Sequence, residues 1–196
     1  MTSTFNSRLA AIGFRLAGVR TPARGEGDTD LEHTLLEALG QCSADGRLAS
    51  LMFSWMHVHA EHVIVEKLAK FSRAEPEVVA WLSAIAAYAC EQGRHKWAKL
   101  VRRQAAPMCL FTEQVTRSAI RLKGAVPWLE RQNLLVAEGS LRIRPDDVLS
   151  VAELAKANHQ YCNRLLFGAC WRADIITAIQ GGAATATEIA KRIGCS

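Results

Sequence analysis

Residues 57–62 read HVHAEH, which puts His57, His59, Glu61 and His62 in one short run. On a helix His59 and His62 are three apart and share a face, while His57 points elsewhere. Zinc enzymes that draw two ligands from one helix space the histidines four apart with a glutamate between. The spacing here differs, so helix-end histidines beside a buried helix are the preferred reading over a metal site. The six cysteines, Cys42, Cys90, Cys109, Cys162, Cys170 and Cys195, are scattered with no C-x-x-C pair. That distribution suits reduced thiols packed as small apolar groups better than a disulfide framework or a zinc cage. The chain has no phosphate-cradling P-loop, no dinucleotide fingerprint and no G-x-S-x-G elbow. The expectation is a protein without catalytic residues, metal or cofactor, and not an enzyme.

The remaining chemistry is charge. The net charge is +5, and residues 94–132 supply more than all of it, with nine Lys/Arg against two Asp/Glu. Residues 1–93 carry eight against eleven, and residues 133–196 seven against six. A cluster of this kind attracts polyanions through counterion release, whereas evenly spread charge mainly aids solubility. Lys99, Arg102 and Arg103 suit phosphate contact. Arg117 and Arg121, four apart, share a helical face, with Lys123 close behind. Arg142 and Arg144 alternate outward on an extended run.

The elements that position these cations follow from periodicity and punctuation. About half the residues are apolar. Ala, Leu, Glu, Lys and Arg prevail over alternating β-branched runs, which predicts a mainly α protein. No apolar run approaches the roughly 18 residues that a membrane span needs. A stripe of Leu9, Ile12, Leu16 and Val19 predicts an N-terminal helix, followed by a loop over TPARGEGDTD. Arg8, Arg15, Arg20 and Arg24 precede the first acid, Glu26, a composition shared with mitochondrial transit peptides; a docking helix is the preferred reading. Thr29 with Glu32, Ser150 with Glu153 and Thr185 with Glu188 have capping-box spacing. Ser43 is placed to cap the buried helix RLASLMFSWMHVHAEH, and Pro76 to open a helix that Gly93 closes. The basic stretch divides into a short helix over 95–104, a break, a helix over 113–123, and a turn or helix from Pro127. Two β-prone runs about Glu138-Gly139-Ser140 predict a hairpin over 134–144. Beyond it come one long helix from Ser150 through AELAKANHQYCNRLLFG and another over WRADIITAIQ that Gly181-Gly182 stops. The Trp residues 55, 81, 97, 128 and 171 sit mainly in helical stretches and read as core anchors.

The string TRSAIRLKGAVPWLERQNLLVAEGSLRIRP resembles the winged helix-turn-helix of bacterial transcriptional regulators, over residues 77–145. Asn133 stands where such regulators usually carry glycine, and Pro127 interrupts a helix that is normally continuous. The resemblance implies a recognition helix near 113–123 that reads bases through Arg117 and Arg121, and a wing carrying Arg142 and Arg144. NRLLFGACWRADIITAIQGGAATATEIAKRIGCS is similar to the opening of a second such motif, over 163–196. There Ile189 and Ile193 would be core, Ala190 the small residue at the helix crossing, and Gly194 the turn. Its recognition helix would lie beyond Ser196.

The resulting expectation is three segments: a helical N-terminal module over 1–75, a winged-helix-like domain over 76–147, and C-terminal helices with an incomplete helix-turn-helix over 148–196. The expected partner is double-stranded DNA, bound in the cytoplasm, with a second copy or another protein on the N-terminal helices and no membrane. A helical protein-interaction module, an antitoxin or adaptor without direct DNA readout, is the alternative.

Overall fold

The structure, a computed structural model, describes residues 4–21, 23, 29–71 and 75–194. The protein is mainly α. No helix among the described residues is long and apolar enough to cross a membrane. Its helices are α1 (Phe5–Ala11), α2 (Leu31–Leu39), α3 (Gly46–His59), α4 (Val65–Phe71), α5 (Pro76–Glu91), α6 (Glu113–Lys123), α7 (Pro127–Glu130), α8 (Val151–Ala157), α9 (His159–Phe167), α10 (Trp171–Gln180) and α11 (Ala186–Ile193). Two short strands, β1 (Met108–Cys109) and β2 (Leu134–Leu135), pair in parallel. By contact the chain divides into two units, residues 1–34, 61–64 and 149–196 in one and 35–60 and 65–148 in the other. Both ends of the chain thus contribute to the same unit, a grouping that a division into consecutive segments does not express.

In the unit of both termini, α1 starts at Thr4, whose hydroxyl accepts from Ser7 N–H. It stops before Gly13, which has φ of +102° and whose added Cβ would lie 3.2 Å from Leu154 Cδ2. The expected longer N-terminal helix is therefore cut short at a positive φ that glycine adopts without strain. Gly13 carbonyl accepts from Leu149 N–H at 2.8 Å, and Arg15 pairs with Glu153 at 3.0 Å, so the N-terminal segment docks on 149–154. The capping boxes at Ser150–Glu153 and Thr185–Glu188 both form. Asp30, not Thr29, stands immediately before α2. It accepts from His33 N–H, and Glu32 turns inward to accept from Ile64 N–H at 2.9 Å. The expected long helix from Ser150 is two helices. Asn158 leaves helical geometry, caps α9 by accepting from Tyr161 N–H, and donates to Ala11 carbonyl.

Arg164 lies fully buried at the centre of this unit and uses all five N–H groups of its guanidinium. Nε and Nη2 donate to Asp174, Nη1 and Nη2 to Glu32, and Nη1 also to His62 carbonyl. Burial opposes the charge, yet the carboxylates of Glu32 and Asp174 outweigh it and hold the guanidinium above its ordinary pKa. Gln160 adds bonds to Asp30 and Asp174 at 3.1 Å each and accepts from Leu31 N–H. Asp30, Glu32 and Asp174 bring carboxylate oxygens within 4.8 Å of one another, a cation-like spacing, and the positive charge among them is Arg164 itself. Nothing in the spacing of positions 32, 164 and 174 announces this network. Farther along, Ala178, Ala183 and Ile193 form a small core with Trp171 and Ile189 packed against it. Gly194 takes the left-handed conformation that ends α11. Cys195 and Ser196 lie outside the described residues, as do Arg24 and most of the loop expected before α2.

The other unit is built on α3 and α5, whose buried faces include Trp55, Phe53, Trp81 and Ile85, with Trp97 beside them. Trp81 donates its indole N–H to Ser43 and Trp97 to Ala60 carbonyl, the polar outlets that buried indoles require. Ser43 is thereby engaged with Trp81, and Asp45 is the residue that caps α3. The three buried indoles behave as the expected core anchors; Trp128 is half-buried and packs on Phe53 and Tyr88. Pro76 opens α5 at its first position, and α6 has the expected bounds.

Candidate nucleic-acid interface

The expected helix over 95–104 is only a tight 3₁₀ turn over His95–Leu100, after which the chain extends. Ser83, on buried α5, fixes this extension. Its hydroxyl accepts from Arg102 N–H at 2.8 Å and donates to Arg102 carbonyl at 3.0 Å. A single hydroxyl so satisfies both backbone groups of Arg102, and the side chains of Arg102 and Arg103 remain exposed.

Beyond this point residues 133–138 form the frame for α6. On its N-terminal side, Met108 N–H donates to Asn133 carbonyl and Leu110 N–H to Leu135 carbonyl. On its C-terminal side, Val126 N–H donates to Val136 carbonyl and Glu138 N–H to Gly124 carbonyl. One extended segment therefore holds both ends of α6. Asn133 adopts φ of +57°, the left-handed geometry that permits its replacement of glycine, and its amide donates to Gln104 carbonyl. The helix between these anchors buries only Thr116 and half-buries Ala119 and Ile120. Gln114, Val115, Arg117, Ser118, Arg121 and Leu122 face solvent.

The expected hairpin over 134–144 does not form. The turn is present, with Gly139 at φ of +75° and Ser140 N–H bonded to Ala137 carbonyl, but the returning arm leaves the strand. Arg142 and Arg144 N–H groups donate instead to the hydroxyls of Ser50 and Ser54 on α3. The register matches: one helical turn between Ser50 and Ser54 advances about 6 Å. Two extended residues between Arg142 and Arg144 advance about 6.6 Å. Each serine keeps its own proton for the carbonyl four residues back, Gly46 for Ser50 and Ser50 for Ser54. Arg142 and Arg144 thus project from an extended strap along a helix, and not from a wing.

All eight expected contact residues fall in this unit, and their charges divide into two groups. Lys99 is bonded to Glu66, which holds that carboxyl below its usual range. Arg117 is bonded to Glu113 one turn back at 2.7 Å, which raises its guanidinium pKa. Arg131, also in the basic stretch, is bonded to Glu91. Arg102, Arg103, Arg121, Lys123, Arg142 and Arg144 are exposed and have no acidic partner among the described residues. Arg121 is therefore the uncommitted arginine of α6, and Arg117 the committed one.

His57, His59 and His62 each meet an aromatic ring. His57 Nδ1 lies 2.9 Å from Tyr88 hydroxyl, His59 is buried against Trp55, and His62 meets Tyr161 edge-on. Cys42, Cys90, Cys109, Cys162 and Cys170 are free thiols. Burial pushes the pKa values of Cys42, Cys90 and Cys109 up, the opposite of an activated nucleophile. The sequence offered two recoverable signals for the site's framework: serines four apart on the buried face of α3, and Ser83 inside the apolar run of α5.

Compared with protein-family models, with curated proteins and with solved structures, the chain matches none.

Proposed function

We propose that this protein binds double-stranded DNA as a cytoplasmic transcriptional regulator, through the unit of residues 35–60 and 65–148. The observation that carries this reading is the set of six exposed cations without an acidic partner among the described residues: Arg102, Arg103, Arg121, Lys123, Arg142 and Arg144. Like charges gathered on one small unit repel, and releasing condensed counterions from phosphate offsets that repulsion. Arg102, Arg103, Arg142 and Arg144 extend from backbone pinned to α5 and α3, which suits phosphate anchoring. α6 presents Arg121 and Lys123 from an exposed helix, which suits entry into a groove. No catalytic residue is required.

The test is a mobility shift on a random-sequence duplex over a potassium chloride series, comparing the wild type with R142A/R144A. Both side chains are exposed, so the fold is expected to survive, as circular dichroism would verify. Each lost phosphate contact lowers the slope of log affinity against log salt by about 0.9. Flow-through on heparin at low salt, or an unchanged slope in the variant, overturns the proposal.

A second reading, a protein-interaction module of antitoxin or adaptor type, draws support from a different observation. Leu165, Leu166, Phe167, Ile175 and Ile179 are exposed on α9 and α10, in the other unit. Exposed apolar side chains grouped on one helical pair suit a second copy or another protein. Heparin flow-through combined with dimerisation would favour this reading.

A further inference from the structure

We infer that α6 discriminates thymine from uracil in duplex DNA through Val115 and Leu122, which would rest against thymine methyl groups in the major groove. The inference rests on the DNA-binding reading above. Val115 is 66 % exposed and Leu122 85 % exposed, and among the described residues of this unit Phe71 is the only other exposed large hydrophobic side chain. Leaving two aliphatic side chains in water on an otherwise polar helix runs against the driving force that buries the rest of the unit's apolar residues. Their placement gives that exposure a specific use. They are seven positions apart, so they stand on one side of α6 about 10.5 Å apart along its axis. Base pairs stack about 3.4 Å apart, so the two side chains match positions three base pairs apart along a groove.

The flanking residues choose the occupant. Leu122 sits between Arg121 and Lys123, two exposed cations without an acidic partner among the described residues, and Val115 follows the exposed amide of Gln114. An apolar protein partner would be poorly matched by those cations, whereas a phosphate-lined groove complements them. Arginine pairs with guanine, glutamine with adenine, and an aliphatic side chain with the thymine methyl, which together form a major-groove set. The described aromatic residues of this unit are mostly occupied in packing. Trp128 lies against Phe53 and Tyr88, and Phe111 against Trp81, so a single-strand stacking platform is not what surrounds the cations.

The experiment uses the full chain and two duplexes, alternating poly(dA-dT) and poly(dA-dU), which differ only in the 5-methyl group. The wild type is expected to bind the thymine polymer more tightly, by about three- to fivefold for each methyl contact made. V115A/L122A should bind both polymers with the weaker affinity, and R121A should weaken both while keeping their ratio. Equal, salt-dependent wild-type binding to the two polymers overturns this inference and leaves the DNA-binding reading standing. Retention of the preference in V115A/L122A also overturns it. Binding to neither polymer at low salt overturns both. If sedimentation shows that V115A/L122A converts a dimer to a monomer, these side chains are a protein interface and the inference fails.

Discussion

Replacing Arg164 tests the account of the termini-bearing unit most directly. Its guanidinium makes five hydrogen bonds, to both oxygens of Asp174, both of Glu32, and the carbonyl of His62. Arg164→Ala removes the cation and leaves two carboxylates fully buried beside each other. Breaking a buried pair by removing one partner costs about 3–5 kcal/mol. For a chain of this length each kcal/mol shifts Tm by about 2–4 °C, so a fall of about 10 °C is expected. Arg164→Lys keeps the charge but offers three donors on a point-like ammonium in place of a five-donor fork. At least two acceptors lose their partner, and a loss of about 2–3 kcal/mol follows. Arg164→Met combined with Glu32→Gln and Asp174→Asn leaves no charge of this trio buried, and should recover part of the loss. Urea unfolding followed by far-ultraviolet circular dichroism measures all three, with the slope m checking that the transition is unchanged in kind. The reasoning is refuted if Arg164→Ala costs under about 1 kcal/mol, or if Arg164→Lys unfolds with the wild type.

S50A/S54A should release the strap at Arg142–Arg144, at about 1–3 kcal/mol for each N–H left without a partner if it stays buried, and less if water reaches it. Limited trypsin digestion should then cut after Arg142 sooner than in the wild type (Pro145 shields the bond after Arg144), and an unchanged digestion rate would contradict the docking described. Gly13→Ala places a Cβ 3.2 Å from Leu154 at φ of +102°, and should destabilise by about 1–3 kcal/mol in thermal melts. The capping carboxylates Glu153 and Glu188 are held below the ordinary range, first by backbone N–H groups, of Ser150 for one and of Ala184 and Thr185 for the other. A depressed folded pKa means the stabilisation is complete above the unfolded value near 4.3 and is lost as pH falls through the lower folded value. Carboxyl chemical shifts followed by NMR should show both groups titrating below pH 4.3, and midpoints at or above it would refute the caps.

Helix identity was legible along most of the chain because it depends on near neighbours. Pro76 and Gly93 bracket α5, two capping boxes closed as their spacing predicted, and α6 runs over 113–123 as its pattern implies. Three misses share one cause: a distant side chain took a group that local rules had assigned elsewhere. Glu32 has the spacing to cap with Thr29 but answers to Arg164, and Ser43 has the position of a cap but accepts from Trp81. The second arm of the hairpin has strand propensity, yet Ser50 and Ser54 offered its N–H groups acceptors at the same repeat.

The sequence by itself determined a mainly helical chain with its positive charge gathered over 94–132, since both follow from composition and short-range periodicity. Only the tertiary structure decided which cations stay uncommitted. Glu66 takes Lys99 and Glu91 takes Arg131, across 33 and 40 residues of chain, whereas the pair of Glu113 with Arg117 is local, one helical turn apart. Coulomb attraction falls with distance in space and is indifferent to separation along the chain, so that division appears only once the backbone has folded.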